Sequence, residues 1–347
     1  MLPRRLALAG LPALIAAPLR AEPARDGFRR RWAEFRDRFL APEGRVVDTG
    51  NGGISHSEGQ GWAMLCAARA DDRAAFERLY AWTMRVLKRP ADELFAWRFR
   101  PEAGVDDPNN ATDGDIFIAW ALLEAGDRWG RPEWQAQGAA MARDILQRLV
   151  RPAGDHLLLL PGLRGFERPG QIVVNPSYYA FPALRALALA APDPAWFQLV
   201  VDGLSLLRRG RFGRWRLPPD WLAWTRGEGR LAPAQGWPAR FSYDAVRVPL
   251  YLAWAGLTEE PGVTGPARFW QEHAPRMLPA WTDLSNNQLS PYPASRGTAA
   301  IAQLSRESAG LSGLSRAARS APLHGEDYYS SVLVLLVDLA ALDRGMS

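Results

Sequence analysis

The chain has 347 residues, 48% of them hydrophobic and 23% charged, with a formal net charge of +5. This is the composition of a soluble globular protein with room for one large domain or two ordinary ones. Nearly all the basic residues are arginines spread along the chain, with no run of five, so a nucleic-acid-binding footprint is not present. There are 15 tryptophans, and they suggest either a Trp-rich core or flat apolar surfaces of the kind that sugar rings stack on.

Met1 to Arg5 carries two arginines, Leu6 to Leu19 is almost wholly apolar, and small residues with Ala21 follow. That order is the order of a secretory signal peptide, and the apolar stretch is too short to span a membrane. A leader over residues 1–21 is expected, followed by one domain over 22–347 in the periplasm or outside the cell. The Arg4-Arg5 pair leaves twin-arginine export open. Cys66 is the only cysteine, so no internal disulfide forms and the exported chain must rely on its core.

Phe28, Trp32, Phe35 and Phe39 recur with a helical period. Further helical patterns lie near 58–70, 73–88, 112–126, 131–150, 176–191, 195–208, 243–256, 266–278, 296–305 and 326–343. Strand signals are sparse, and Ile172-Val173-Val174 is the one short strand-like piece. Eleven or twelve helices without strands between them exclude a parallel α/β sheet. No fixed solenoid repeat is present, which favours an all-α closed double ring. Gly210 to Arg240 is predicted to be a long ordered loop, a class that usually carries function. Leu304 to Pro322 reads as a mobile surface excursion.

Three predicted helices begin with an acid beside a small or hydroxyl residue. Glu58 stands in Ser57-Glu58-Gly59-Gln60-Gly61, where Ser57 and Gln60 have capping-box spacing. Asp113 stands in Ala111-Thr112-Asp113-Gly114-Asp115, with Thr112 and Asp115 forming a second capping pattern. Asp244 stands in Ser242-Tyr243-Asp244-Ala245-Val246-Arg247. Each acid alone reads as a dipole-stabilised surface carboxyl. In a ring of helices, however, helix starts converge on one face, and three such acids can line one cleft.

These stretches carry a resemblance. Ala111 to Ala125, with Trp129 four positions on, is similar to the signature of glycoside hydrolase family 8. Ser57 to Gly61 matches that family's acid motif, and Ser242 to Pro249 looks like its third block. Asn175-Pro176-Ser177-Tyr178-Tyr179 resembles a further block beside the sugar cleft. The resemblance implies an (α/α)6 barrel of six inner and six outer helices. It also implies endo-hydrolysis of a β-1,4-linked glycan with inversion. By the same resemblance Glu58 is the general acid, Asp244 the general base, and Asp113 the residue holding the sugar at the cleavage point.

Inverting hydrolysis needs one protonated carboxyl at the leaving oxygen and one ionised carboxylate across the ring to activate water. A helix start favours the charged form of Glu58, so an ionised Asp113 and desolvation by Trp62 are expected to push its pKa back up. Arg247, one turn after Asp244, is expected to keep that carboxylate ionised, or else to make an ordinary surface ion pair. Tyr178 and Tyr179 either place a hydroxyl near the attacking water or pack. Trp97 and then Trp237 are the candidate sugar platforms, with core packing as the other reading. Asp115 reads as structural, and His56 as a bystander to the acid. The four histidines form no ligand-spaced pair, so no metal and no cofactor is expected.

The expectation is an exported, monomeric endo-β-1,4-glucanase, with substrate choice set by loops such as 210–240. A single-domain exported form without a binding module resembles the periplasmic cellulases that accompany bacterial cellulose synthesis, so the cellulose synthase machinery is a candidate partner. Alternatives are a relative acting on xylan, chitosan or mixed-linkage glucan, a non-catalytic glycan-binding protein, and a lyase of the same barrel.

Overall fold

The computed structural model describes residues 21–274, 276–311 and 322–346. The expected leader lies almost wholly outside the described residues, as does most of the surface excursion expected over 304–322. Eleven α-helices are described: α1 Ala21–Phe39, α2 Ser57–Ala70, α3 Arg73–Val86, α4 Thr112–Trp129, α5 Pro132–Leu149, α6 Phe181–Ala190, α7 Pro194–Arg209, α8 Arg247–Trp254, α9 Pro261–His273, α10 Arg296–Ser308 and α11 Tyr328–Asp343.

Local chemistry sets their ends. Asp193 caps α7 by accepting from Ala195 N, with Pro194 at the first helical position. Asp327 caps α11 by accepting from Ser330 N. Gly130 ends α4 in the left-handed conformation, φ 63°.

The even-numbered helices pack in succession, α2 on α4, α4 on α6, α6 on α8 and α8 on α10. α10 then meets α11, and α11 returns to α2, so six helices close a ring. The remaining helices lie outside it, each against its chain neighbours. This is the (α/α)6 barrel, with six inner and five outer helices among the described residues.

Burial follows from that arrangement. α4 and α11 are buried nearly all round, whereas α3 and α5 bury one stripe, as amphipathic outer helices must. One ion pair ties the two layers: Arg31 of α1 reaches buried Asp338 of α11 at 2.6 Å.

Eleven short strands accompany the helices, far more than the one expected. They are β1 Ser55–His56, β2 Ala96–Arg100, β3 Gly104–Asn110, β4 Val150–Ala153, β5 His156–Leu159, β6 Glu167–Arg168, β7 Gln171–Val174, β8 Leu222–Thr225, β9 Leu231–Pro233, β10 Arg240–Phe241 and β11 Thr282–Asp283. All pair antiparallel, in sheets ordered β1-β2-β3, β4-β5, β6-β7-β8-β9 and β10-β11.

Most are too short or too polar to show an alternating pattern; β3 reads Gly-Val-Asp-Asp-Pro-Asn-Asn. Ion pairs support it instead, with Asp106 of β3 taking Arg98 and Arg100 of β2. The segment 210–240 is likewise not a plain loop, since it contributes β8 and β9. The predicted helix over 176–191 is a 3-10 turn at Pro176–Tyr178 followed by α6.

The strands place the chemistry. β1 runs straight into α2, β3 leads into α4, β7 leads into the 3-10 turn, and β10 leads into the turn before α8. Four strand-to-helix junctions thus carry Glu58, Asp113, Tyr178 and Asp244.

α2 and α4 approach closely because Gly61 has no side chain. A Cβ there would stand 2.8 Å from Phe117 Cβ and 2.9 Å from Ile118 N. Gly61→Ala is expected to cost about 1–3 kcal/mol by overpacking. Urea unfolding at neutral pH measures it, and an unchanged midpoint would show that the two helices can part freely.

Candidate active site

Glu58 lies in the first turn of α2, but the capping box expected there is not formed. His56 is the N-cap, its Nδ1 accepting from Gly59 N at 3.0 Å, while its Nε2 faces Asp48 Oδ2 at 3.4 Å. Ser57 Oγ has no hydrogen-bond partner among the described residues. Gln60 turns inward, where its amide bonds Val46 N at 2.6 Å and Thr83 Oγ1 at 2.8 Å. His56 is therefore the group that holds the helix start carrying Glu58, not a bystander.

Asp113 occupies the first turn of α4, accepting from Gly114 N at 2.9 Å. The second capping pattern is also absent: Thr112 donates its hydroxyl to Leu160 O at 2.6 Å. Asp115 is buried and structural, accepting from Phe95 N at 2.9 Å and Asn110 Nδ2 at 2.8 Å. Gly114 keeps the two helix starts together, because a Cβ there would fall 2.2 Å from Ser57 Oγ and 2.7 Å from Glu58 N.

Asp244 does not begin a helix. It sits in a turn closed by Val246 N to Ser242 O and Arg247 N to Asp244 O, both 3.0 Å, and α8 starts only at Arg247.

The three acids meet on one arginine. Arg247 is 2% exposed, and its Nη1 lies 2.7 Å from Glu58 Oε2 and 3.3 Å from Asp113 Oδ2. Its Nη2 lies 2.5 Å from Asp244 Oδ1. The guanidinium also covers the Trp62 ring, 5.2 Å from the centroid. Burial opposes its charge, but Glu58, then Tyr329 and Asp244, outweigh this and hold it protonated. The surface ion pair entertained from spacing is thus replaced by a buried hub for all three acids.

Burial is unequal among the acids. The side chain of Asp113 is 2% exposed, that of Glu58 18% and that of Asp244 29%. Asp113 is pushed well above the ordinary carboxyl range by burial, then by the charge of Glu58 and a hydrogen bond with it, against the pull of Arg247. Asp113 is the more buried of the two partners, and burial is the largest cause of its upward shift. Burial also raises Asp244, Arg247 lowers it, and Asp113 raises it again.

Tyr178 is buried, and its phenol is held well above the usual range by burial and then by Asp113, Asp244 and Glu58. It therefore faces the acids as a neutral hydroxyl. Tyr179 does not: its hydroxyl accepts from Leu159 N at 3.0 Å and its ring packs where Gly203 leaves room. The substrate role expected of Tyr179 is corrected to core packing. Trp97 is half-buried on β2, its Nε1 bonded to Asp107 Oδ2 at 2.7 Å and one side covered by Arg98 at 4.4 Å. Trp237 stacks on Trp221 at 4.8 Å, with Arg168 at 4.8 Å from its ring. Trp221 in turn stacks on Phe166 at 5.7 Å and meets Tyr178 edge-on at 6.4 Å.

Several residues around the acids had no signal in the sequence. Tyr251 is buried and Tyr329 half-buried, and both lie beside the charges of Arg247 and Glu58. Tyr328 packs its hydroxyl over Gly59. The Tyr328-Tyr329 pair after the capping Asp327 is the one hint that α11 faces the site. Trp221 and Asp220 lie inside the segment predicted to be a long ordered loop, Gly210 to Arg240.

A helical double barrel with three carboxyls converging beside aromatic rings defines a protein that handles glycans. The family described as glycosyl hydrolases family 8 matches residues 12–343, and the chain belongs to that family. It is 44% identical over 341 residues to a protein of Novacetimonas hansenii described as a probable endoglucanase, covering 97% of this chain and 98% of that one. It is 40% identical over 276 residues to an endoglucanase of Cellulomonas uda, covering 79% and 76%. Its fold superposes on an endo-β-1,4-glucanase of Acetobacter xylinum with a TM-score of 0.86 and 44% identity, covering 92% of this chain and 99% of that one.

A carboxyl raised above its unfolded value of about 3.9 adds stability below that pH and loses it as pH rises through the folded value. Asp113 is such a group. Wild type is expected to lose stability relative to Asp113→Asn as pH rises from about 4 to 8. Urea unfolding at successive pH values tests this, and a difference that stays constant would remove the raised carboxyl.

Proposed function

We propose that the chain is an exported endo-β-1,4-glucanase that cleaves internal β-1,4-glucosidic bonds with inversion. Glu58 is the general acid, Asp244 the general base, and Asp113 the residue that holds the sugar at the cleavage point. The convergence of all three on Arg247 carries the reading. The names of the three relatives reported above, each an endoglucanase or probable endoglucanase, support the substrate class.

The mechanism follows from the unequal burial. The proton needed by the leaving oxygen is stored on the Asp113–Glu58 pair, and Glu58 is the more exposed member that can deliver it. Asp244 is the most exposed of the three and reaches water, while Arg247 favours its ionised form, as a base requires. Glu58 and Asp244 bind different nitrogens of the guanidinium, and inversion requires the two carboxyls to stand far enough apart to admit a water. Tyr178 offers a neutral hydroxyl beside all three. Trp97, and Trp237 with Trp221, are the sugar platforms.

Residues 22–347 act as one catalytic domain behind a leader over 1–21; closure of the ring between α11 and α2 supports this. No described helix is long and apolar enough to cross a membrane. Action as a monomer in the periplasm beside cellulose synthesis is the accompanying proposal, supported by likeness to single-domain enzymes alone.

Glu58→Gln and Asp244→Asn are each expected to lower kcat on soluble cellulose derivatives by about 10²–10⁴-fold while oligosaccharide binding persists. Proton NMR of fresh wild-type product should show the α-anomer first. A first-formed β-anomer would refute inversion, and full activity of Glu58→Gln would move the acid elsewhere. A panel of cellulose, xylan, chitosan and mixed-linkage glucan sets the substrate, and an unsaturated product absorbing in the ultraviolet would indicate a lyase instead.

A further inference from the structure

Asp220 is buried, 24 residues before Asp244 in the chain, and belongs to the segment between α7 and α8. Its Oδ1 accepts the backbone amides of Ser242 at 3.1 Å, Asp244 at 3.2 Å and Ala245 at 2.8 Å. Its Oδ2 takes the Ser242 hydroxyl, and its own amide donates to Arg240 O at 2.8 Å. Amides that precede a helix lack intrahelical acceptors, and here a side chain from another segment supplies one for three of them. Asp220 also adjoins the aromatic stack directly in sequence, because Trp221 is the next residue.

We infer that Asp220 is a positioning residue for the base, fixing the turn that presents Asp244 and placing a second buried negative charge beside it. The inference rests on the assignment of Asp244 as the base. Burial, and then the charge of Asp244, push the Asp220 carboxyl up, while the Ser242 hydroxyl and the bonded amides, all of them donors, pull the other way and favour its charged form. A negative charge on Asp220 strengthens the hold of Asp244 on a proton, because like charges disfavour joint ionisation. The other groups facing Asp244 are Arg247 on its own turn, Asp113 from α4, the Asn175 amide and Tyr178 around the 3-10 turn, and Tyr329 from α11. Glu58 of α2 acts across Arg247. Among these, Asp220 alone bonds the Asp244 backbone amide.

The test compares Asp220→Ala with Asp220→Asn on cellopentaose. The Ala variant loses the tether and is expected to lose about 10²-fold in kcat, the effect of a displaced catalytic group, with KM nearly unchanged. The Asn variant keeps an oxygen for the three amides and is expected to recover most of kcat. It also lacks the charge, so its acidic limb of kcat/KM against pH should move to lower pH. A residue that served stability alone would lower Tm in both variants and leave that limb in place.

A folded Asp220→Ala protein with wild-type kcat, or an Asp220→Asn profile whose acidic limb does not move, overturns the inference. If the Ala variant does not fold, the Asn profile decides. Asp244→Asn run in parallel separates the two claims: activity there overturns the base assignment, whereas inactivity there with wild-type behaviour of both Asp220 variants overturns the role of Asp220 alone.

Discussion

The site depends on one buried cation. Arg247 is enclosed by protein, yet it carries ion pairs to acids from α2, α4 and the turn before α8. A charge in that position is tolerated only with partners, and removing one member of such a cluster leaves the rest uncompensated. Three carboxylates would overbalance one guanidinium. The raised affinity of Asp113 for a proton relieves the excess. The ring of phenols from Tyr178, Tyr251, Tyr328 and Tyr329 stays neutral for the same reason, as burial and nearby negative charge oppose their ionisation. Charge balance around a buried guanidinium therefore links the proton inventory of the site to its packing.

The fold was legible from the sequence because eleven or twelve helical patterns recur along the chain without a solenoid repeat, and the family resemblance implied the double ring they form. The acids were legible for a related reason: each stands near a helix start, with a small residue beside it where two backbones approach. Gly114 shows the point, since its missing side chain is what lets the helix start carrying Glu58 lie against the one carrying Asp113. What stayed hidden depends on contacts across the ring. Nothing local says that Arg247 reaches Glu58, 189 residues away. Ser57 has the better capping chemistry on paper, yet the cap is the neighbouring His56, whose Nδ1 is an acceptor outside the usual set. Tyr178 and Tyr179 are adjacent, and only the 3-10 turn decides that one faces the acids and the other Leu159.

The short strands explain how a helical barrel can set carboxyl positions finely. A helix end alone frays, but here β1, β3, β7 and β10 lead the chain into the site with a fixed register before each helical start. Arg–Asp pairs hold the β2–β3 hairpin where apolar alternation is lacking. The same hairpin carries Trp97, so that ring and the Asp113 junction are set by one pair of strands. The four-stranded sheet does the equivalent for Trp221 and the turn that holds Tyr178.

Ring closure also bears on how the chain acquires its activity. Glu58 arrives with the second helix, whereas α11 at the far end of the chain packs against that same helix and brings Tyr328 and Tyr329 beside the acid. Pairings so distant in sequence form late, after the entropy of closing a long loop has been overcome. Until then Arg247 and its acids stay solvated, with ordinary proton affinities. Turnover is thus a readout of complete closure.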